Sequence, residues 1–276
     1  MKTASKVYMF LIFLFLYAPI FVLILFSFNN SSAMSRSVFS GFSLRWYRQL
    51  FGDSMILEAL RNTLIIAVVA SAASTVLGTL GAIGINSLKS KWARRMTMNV
   101  TNLPMVNPEI VTGVSMMLLF VIATRALGTS LGMGSLIIAH ITFCLPYVLL
   151  SIRPKLLQMD PHLYEAALDL GCTPAQAFFR VVLPQIVPGI VSGAIMAFTL
   201  SIDDFVISYF TSGTTQTLSI YIYSMTRKRI SPEINALSTM LFVVILVLLL
   251  AVNIGQSGSA ARAARRRAAQ EEAEVL

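Results

Sequence analysis

An all-α, polytopic membrane fold with six transmembrane helices follows from three observations on this 276-residue chain. It is 56% hydrophobic and only 12% charged, with a mean hydropathy of +0.77, whereas soluble domains carry about 25% charged residues. Several apolar runs reach the ~20 residues that a helix rising ~1.5 Å per residue needs to cross a bilayer. Its basic residues collect in alternate connections between those runs.

The expected spans are residues 7–28, 60–86, 98–124, 132–152, 185–210 and 236–254, forming one transmembrane domain over 1–276. This places the N-terminus, Lys89–Arg95, Arg153–Arg180 and the arginine-rich tail 255–276 on one side, where most of the 21 Lys and Arg fall. The positive-inside rule puts that side, and so both termini, in the cytoplasm. The formal charge of +9 is then mostly a topology signal. The tail "ARAARRRAAQEEAEVL" reads as a solvated or lipid-touching terminus, and no nucleic-acid partner is expected.

Taken in order, the first span follows Lys2 and Lys6 and is too long for the apolar core of a cleavable signal, so it reads as an uncleaved helix. The polar and aromatic stretch "FNNSSAMSRSVFSGFSLRWYRQLF" comes next as an external loop, with Trp46 and Tyr47 as interfacial anchors. The second span carries Gly78, Gly81 and Gly84, and the fifth Gly189 and Gly193; such small-residue stripes let helices approach closely. The third opens as "TNLPMVNPEIVTG", with Pro104 and Pro108 disturbing the helix. Counted from Met98, Glu109 lies ~16 Å in, near mid-bilayer. Glu109 either lines a wet cavity there or reaches headgroups from a kink near the interface. In the fourth span His140 and Cys144 share a helix face, too few ligands for a metal site, and read as packing or helix-to-helix hydrogen-bonding residues. Cys144 and Cys172 give no disulfide framework.

Asp203 and Asp204 stand side by side in the fifth span, where carboxylates are expensive and pair, line a cavity or mark a solute pathway. Starting near Ile186, the helix brings Asp203 ~25 Å along, into the outer part of the bilayer. Adjacent helical residues point about 100° apart, so one acid is expected to face a path while the other pairs with a neighbouring span or caps a break. Asp203 is the favoured path residue.

Between the fourth and fifth spans runs "MDPHLYEAALDLGCTPAQAFFRVVLPQIVP", a cytoplasmic loop over about 160–184. Asp160 and Pro161 form a helix start, Gly171 a stop, and Thr173 with Gln176 a capping box that restarts the helix. Leu163, Tyr164, Ala167 and Leu170 make an apolar face, suited to a membrane surface or to a partner's groove.

The run "EAALDLG", with "VVLP" following its glycine after nine intervening residues, resembles the EAA motif of the permease subunits of bacterial ATP-binding-cassette importers. Glu165, Ala166, Ala167, Gly171, Leu183 and Pro184 match its spacing, and Val181 replaces the usual Ile. "SFNNSS", "RWY", "HITFCLPYV", "FTLSIDDFVIS" and "SPEINAL" are similar to the second permease of spermidine/putrescine uptake systems over nearly the whole chain.

The resemblance implies the importer permease fold, in a pseudo-symmetric heterodimer with a second permease subunit. It also implies two copies of a cytoplasmic ATPase and an extracytoplasmic substrate-binding protein. Glu165, Ala166, Ala167 and Gly171 would form the coupling helix seated on the ATPase. No GxxxxGK[ST] stretch occurs, so ATP and Mg belong to that partner, and the chain itself is expected to be a transport subunit without a bound cofactor or an enzymatic activity. A polycation's path should offer carboxylates and aromatic faces, and the candidates are Glu109, Asp203 and Asp204, with Trp46 at the outer mouth. Another amine-bearing solute, or a secondary transporter, is the alternative.

Overall fold

The structure is a computed structural model, and it describes residues 2–30, 39–160, 162–228, 233–247 and 250. The basic tail lies outside the described residues. Among the described residues five helices are long and apolar enough to cross a membrane: Ser5–Ser27, Ser54–Ser87, Glu109–Leu127, Met133–Gln158 and Pro174–Asp203, with a shorter apolar helix at Glu233–Val247. No strand occurs among the described residues, where an isolated bridge pairs Asn29 with Phe42. The chain forms two compact units, one of residues 1–59 and 221–276 and one of residues 60–220.

In the first unit, α1 (Lys2–Ser27) leaves no residue of its most apolar stretch buried, as a lipid-facing helix does. The backbone then turns: Asn30 N–H donates to the Gly41 carbonyl (2.9 Å) and Ser43 N–H to that of Phe28 (2.7 Å). This brings α2 (Arg45–Gly52) back to the end of α1, with Trp46 and Leu50 buried and Arg45, Arg48 and Phe51 exposed. Asp53 starts α3 (Ser54–Ser87) by accepting the Met55 N–H at 2.8 Å. The same carboxylate accepts from the Tyr221 hydroxyl (3.4 Å), in the first half of α11 (Leu218–Lys228). Burial, then the charges of Asp53 and Glu233, push the Tyr221 phenol up to about 12, so it stays a donor at neutral pH. Glu233 is the first residue of α12 (Glu233–Val247).

The second unit is built on α6 (Met133–Gln158), half of whose most apolar stretch is buried. It packs along α9 (Leu183–Asp203). Gly189 and Gly193 allow this approach: a Cβ at Gly189 would sit 2.9 Å from the Ser151 carbonyl oxygen, and one at Gly193 3.2 Å from Val148 Cα. Gly78 of α3 packs on the same Val148, while Gly84, the third member of that expected stripe, meets nothing. Phe143, Val148, Leu149, Ile152, Ile186 and Ala197 are at the centre of the core. The Arg94 guanidinium closes the end of α3 by donating to the carbonyls of Asn86 (3.0 Å) and Leu88 (2.7 Å).

Two expected spans are broken. In place of one helix over 98–124 there are α4 (Lys91–Val106) and α5 (Glu109–Leu127), separated at Asn107 and Pro108. Pro108 lacks a donor and drives Asn107 to extended backbone (φ −73°, ψ 142°), which ends α4. Because α5 alone is long and apolar enough to cross a membrane, Glu109 opens that helix instead of lying at its middle. Residues 185–210 likewise divide: α9 ends at Asp203, and α10 (Val206–Thr211) follows after an extended Asp204.

Candidate functional site: a broken helix and a projecting loop

The break between α9 and α10 is held by side chains. Asp204 (φ −63°, ψ 121°) aims its carboxylate at the start of α10, where Oδ1 accepts the Ile207 N–H (3.3 Å) and Oδ2 the Ser208 N–H (2.7 Å). These are donors that a new helix leaves unpaired, so the carboxylate acts as its N-terminal cap. His140 of α6 faces the same place. Its Nδ1 lies 2.8 Å from Ser201 Oγ, and its Nε2 3.0 Å from Ser208 Oγ and 3.6 Å from Asp204 Oδ2. Either neutral tautomer is satisfied, because each hydroxyl can donate or accept. All four residues are buried.

Sequence reasoning placed His140 among hydrogen-bonding residues but left out Ser201 and Ser208. The signal was available: Ser201, Asp204 and Ser208 recur at spacings of three and four, one face of a helix running through the acids. That face meets α6, where Cys144 Sγ also donates to the Ala197 carbonyl (3.4 Å).

Asp203, one residue away, is exposed, and so is Glu109. Glu109 sits four residues before Gly113, on one face of α5. Gly113 packs against α10, where an added Cβ would come within 2.8 Å of Phe210. The two exposed acids are thus associated with the two helices joined at this packing, α5 directly and α10 through the break that precedes it.

Trp46 is not an open aromatic surface. It is only 6% exposed, and its indole N–H donates to the Asn29 carbonyl at 2.9 Å. The neighbouring Tyr47 hydroxyl is 2.8 Å from Ser27 Oγ. The ring serves to fold its own loop, and the expectation of a free aromatic face there is corrected.

The loop after α6 has the expected caps. Asp160 Oδ1 accepts the His162 N–H (2.9 Å) ahead of α7 (His162–Asp169). Gly171 takes φ +85°, a left-handed conformation that side-chain-bearing residues rarely adopt. The Cys172 N–H meanwhile donates to the Ala167 carbonyl (3.1 Å). Thr173 and Gln176 form a reciprocal capping box at α8 (Pro174–Ala177), with bonds of 3.3 and 3.0 Å. A π-helical turn, Phe178–Val182, then leads into α9, a local widening that sequence pattern did not signal.

The apolar face of α7 is divided. Ala167 is buried and Tyr164 half-buried, whereas Leu163 and Leu170 are exposed, Leu170 to 86%. Ala167 therefore packs within the chain, which corrects its expected place on a partner-facing surface. Glu165 and Ala166 are exposed beside Leu170, and Glu165 Oε2 lies 3.5 Å from His162 Nδ1.

A helical membrane bundle with a capped helix–turn–helix loop of EAA pattern is the architecture of an importer permease, and residues 74–265 match the family described as binding-protein-dependent transport system inner membrane component. The chain belongs to this family. It is 40% identical over 233 residues to the putrescine transport system permease protein PotI of Escherichia coli K12, covering 83% of this chain and 82% of the relative. Identity to the spermidine/putrescine transport system permease protein PotC of Haemophilus influenzae is 36% over 243 residues, 87% of this chain and 91% of that one. The fold is also that of a bacterial ABC transporter involved in the import of the acidic polysaccharide alginate (TM-score 0.74, 19% identity, 93% and 94% covered). A second structure of this fold is the MetNI methionine ABC transporter in an inward-facing conformation (TM-score 0.61, 19% identity, 75% and 98% covered).

Proposed function

We propose that this chain is one membrane subunit of an ATP-driven polyamine importer, with putrescine or spermidine as its solute. It pairs with a second permease subunit as a pseudo-symmetric heterodimer and couples to two copies of a separate ATPase, which binds ATP and Mg. A substrate-binding protein delivers solute from outside, and both termini lie in the cytoplasm. The observation that carries this reading is the projecting loop, a capped helix with exposed Glu165, Ala166 and Leu170 that ends at a left-handed Gly171. Such a surface suits a groove: Leu170 fills it and Glu165 offers a charge-assisted contact. The polyamine transport named for both relatives supports the solute class.

In this reading the ATPase moves α7 when it binds and hydrolyses ATP, and the rigid turn at Gly171 passes the movement into α9. The exposed carboxylates of Asp203 and Glu109 give the ammonium groups a weak path, which releases solute as readily as it admits it. Asp204 contributes by capping the break beside Asp203. Trp46 acts indirectly, by shaping the outer loop.

Two expectations follow. With the assembled complex intact, Glu165→Ala and Gly171→Val should each lower solute-stimulated ATP hydrolysis and putrescine uptake together, several-fold or more; normal coupling in both would refute the coupling assignment. Asp203→Asn and Glu109→Gln should lower labelled putrescine uptake while basal ATP hydrolysis persists. Wild-type uptake in both variants would remove these acids from the path.

A further inference from the structure

At the end of α1 lies an open cavity of about 570 Å³, lined by Phe28, Phe42, Ser43, Leu44, Arg45 and Arg48. Its depth in the membrane follows from chain geometry. The 23 residues of Ser5–Ser27 span ~34 Å as a helix, slightly more than the ~30 Å hydrocarbon core. Phe28, the next residue, is therefore within the headgroup layer, and the bridge from Asn29 to Phe42 holds the other cavity residues near it.

The chemistry of the cavity is unbalanced. Arg45 and Arg48 are exposed, and neither has a carboxylate within salt-bridge distance among the described residues. Arg45 lies over the Trp46 ring, 5.5 Å from its centroid, which orients the guanidinium without neutralising it. The same cavity has an apolar lining: Phe28 and Phe42 pack with ring centroids 6.4 Å apart, Phe42 in turn packs on Phe39 at 5.0 Å, and Phe42 and Leu44 stay 74% and 58% exposed. Paired guanidiniums match a phosphate's oxygens, and exposed aromatic and aliphatic groups at this depth match acyl chains.

We infer that the cavity at the end of α1 binds the phosphodiester headgroup of a membrane phospholipid, with Arg45 and Arg48 on the phosphate and Phe42 and Leu44 against the upper acyl chains. A bound anionic lipid would anchor the loop that α2 and Trp46 organise, and so fix the tilt of α1.

The test uses the full-length protein with its accompanying subunits in mild detergent, titrated with dioleoylphosphatidylglycerol and read by native mass spectrometry. Wild type should retain the lipid about tenfold more strongly than R45Q/R48Q, the loss expected when charge-assisted contacts are removed. R45K/R48K, which keeps both charges, should fall between them. Millimolar inorganic phosphate should not displace the lipid, because it lacks the acyl chains. Equal retention by wild type and R45Q/R48Q would overturn the inference. So would displacement by phosphate, which would indicate a free-anion site. Unchanged lipid retention with lost capture of the substrate-binding protein would overturn it too, by assigning the arginines to a protein interface.

Discussion

Asp204→Ala should destabilise the folded membrane subunit by about 2–4 kcal/mol, a lost helix cap together with a buried donor left unsatisfied. The carboxylate accepts two backbone N–H groups at the start of α10 and faces a histidine that already bridges Ser201 and Ser208. Removing it leaves Ile207 and Ser208 N–H buried beside an apolar methyl. Asp204→Asn keeps one good acceptor and should cost less, about 1 kcal/mol. Thermal unfolding of the detergent-solubilised protein, followed by size-exclusion chromatography after heating, reads the order wild type, Asn, Ala. Identical midpoints for all three would mean that the carboxylate does not hold the break.

Gly189→Leu is the second large effect, and here the predicted outcome is failure to accumulate folded protein. A Cβ there would meet the Ser151 carbonyl oxygen at 2.9 Å and Ile152 Cα at 3.1 Å, backbone atoms that cannot rotate away. The remaining leucine atoms would push α9 off α6, the main packing of the second unit. Overpacking a fitted interior costs about 1–3 kcal/mol and sometimes more, and an obstructed helix-to-helix backbone contact belongs at the upper end. Gly84→Leu is the control, since nothing lies within 4 Å of a Cβ there. Membrane-fraction yield and monodispersity should fall for Gly189→Leu alone. Equal yields would show that α6 and α9 do not depend on this close contact.

The parts of the fold legible from sequence are those governed by local rules. Hydropathy reveals span-length helices because each satisfies its own backbone in lipid. The loop was legible residue by residue: Asp160, Gly171, Thr173 and Gln176 each signal a cap by chemistry that acts within four residues. What escaped were features set by contacts distant in sequence. A capping acid at a break was an open expectation for the Asp203–Asp204 pair, but its support by His140, more than sixty residues earlier, was not legible. Trp46 resembles an interfacial anchor by type and position, but the turn at Asn29 buries it. Ala167 belongs to the motif by spacing, yet the way α7 lies against the π-helical turn directs it inward. The acids were recognised as exceptional because charge in a span is costly; their different environments needed the neighbouring helices.

This difference between Asp203 and Asp204 bears on mechanism. A carboxylate that already accepts two N–H groups and faces an imidazole has little capacity left for an ammonium. Asp203, its exposed neighbour, is therefore the acid we propose for the path.

ATP-driven polyamine transport through this subunit is open to direct test. The most direct measurement is uptake of radiolabelled putrescine into proteoliposomes containing the chain with its permease partner, ATPase and binding protein. Uptake should require ATP inside the ATPase-accessible compartment, be competed by spermidine, and fall sharply with Asp203→Asn. Putrescine uptake that proceeds equally without ATP or without the ATPase, or an assembled ATP-hydrolysing complex that moves no polyamine, would rule out this function.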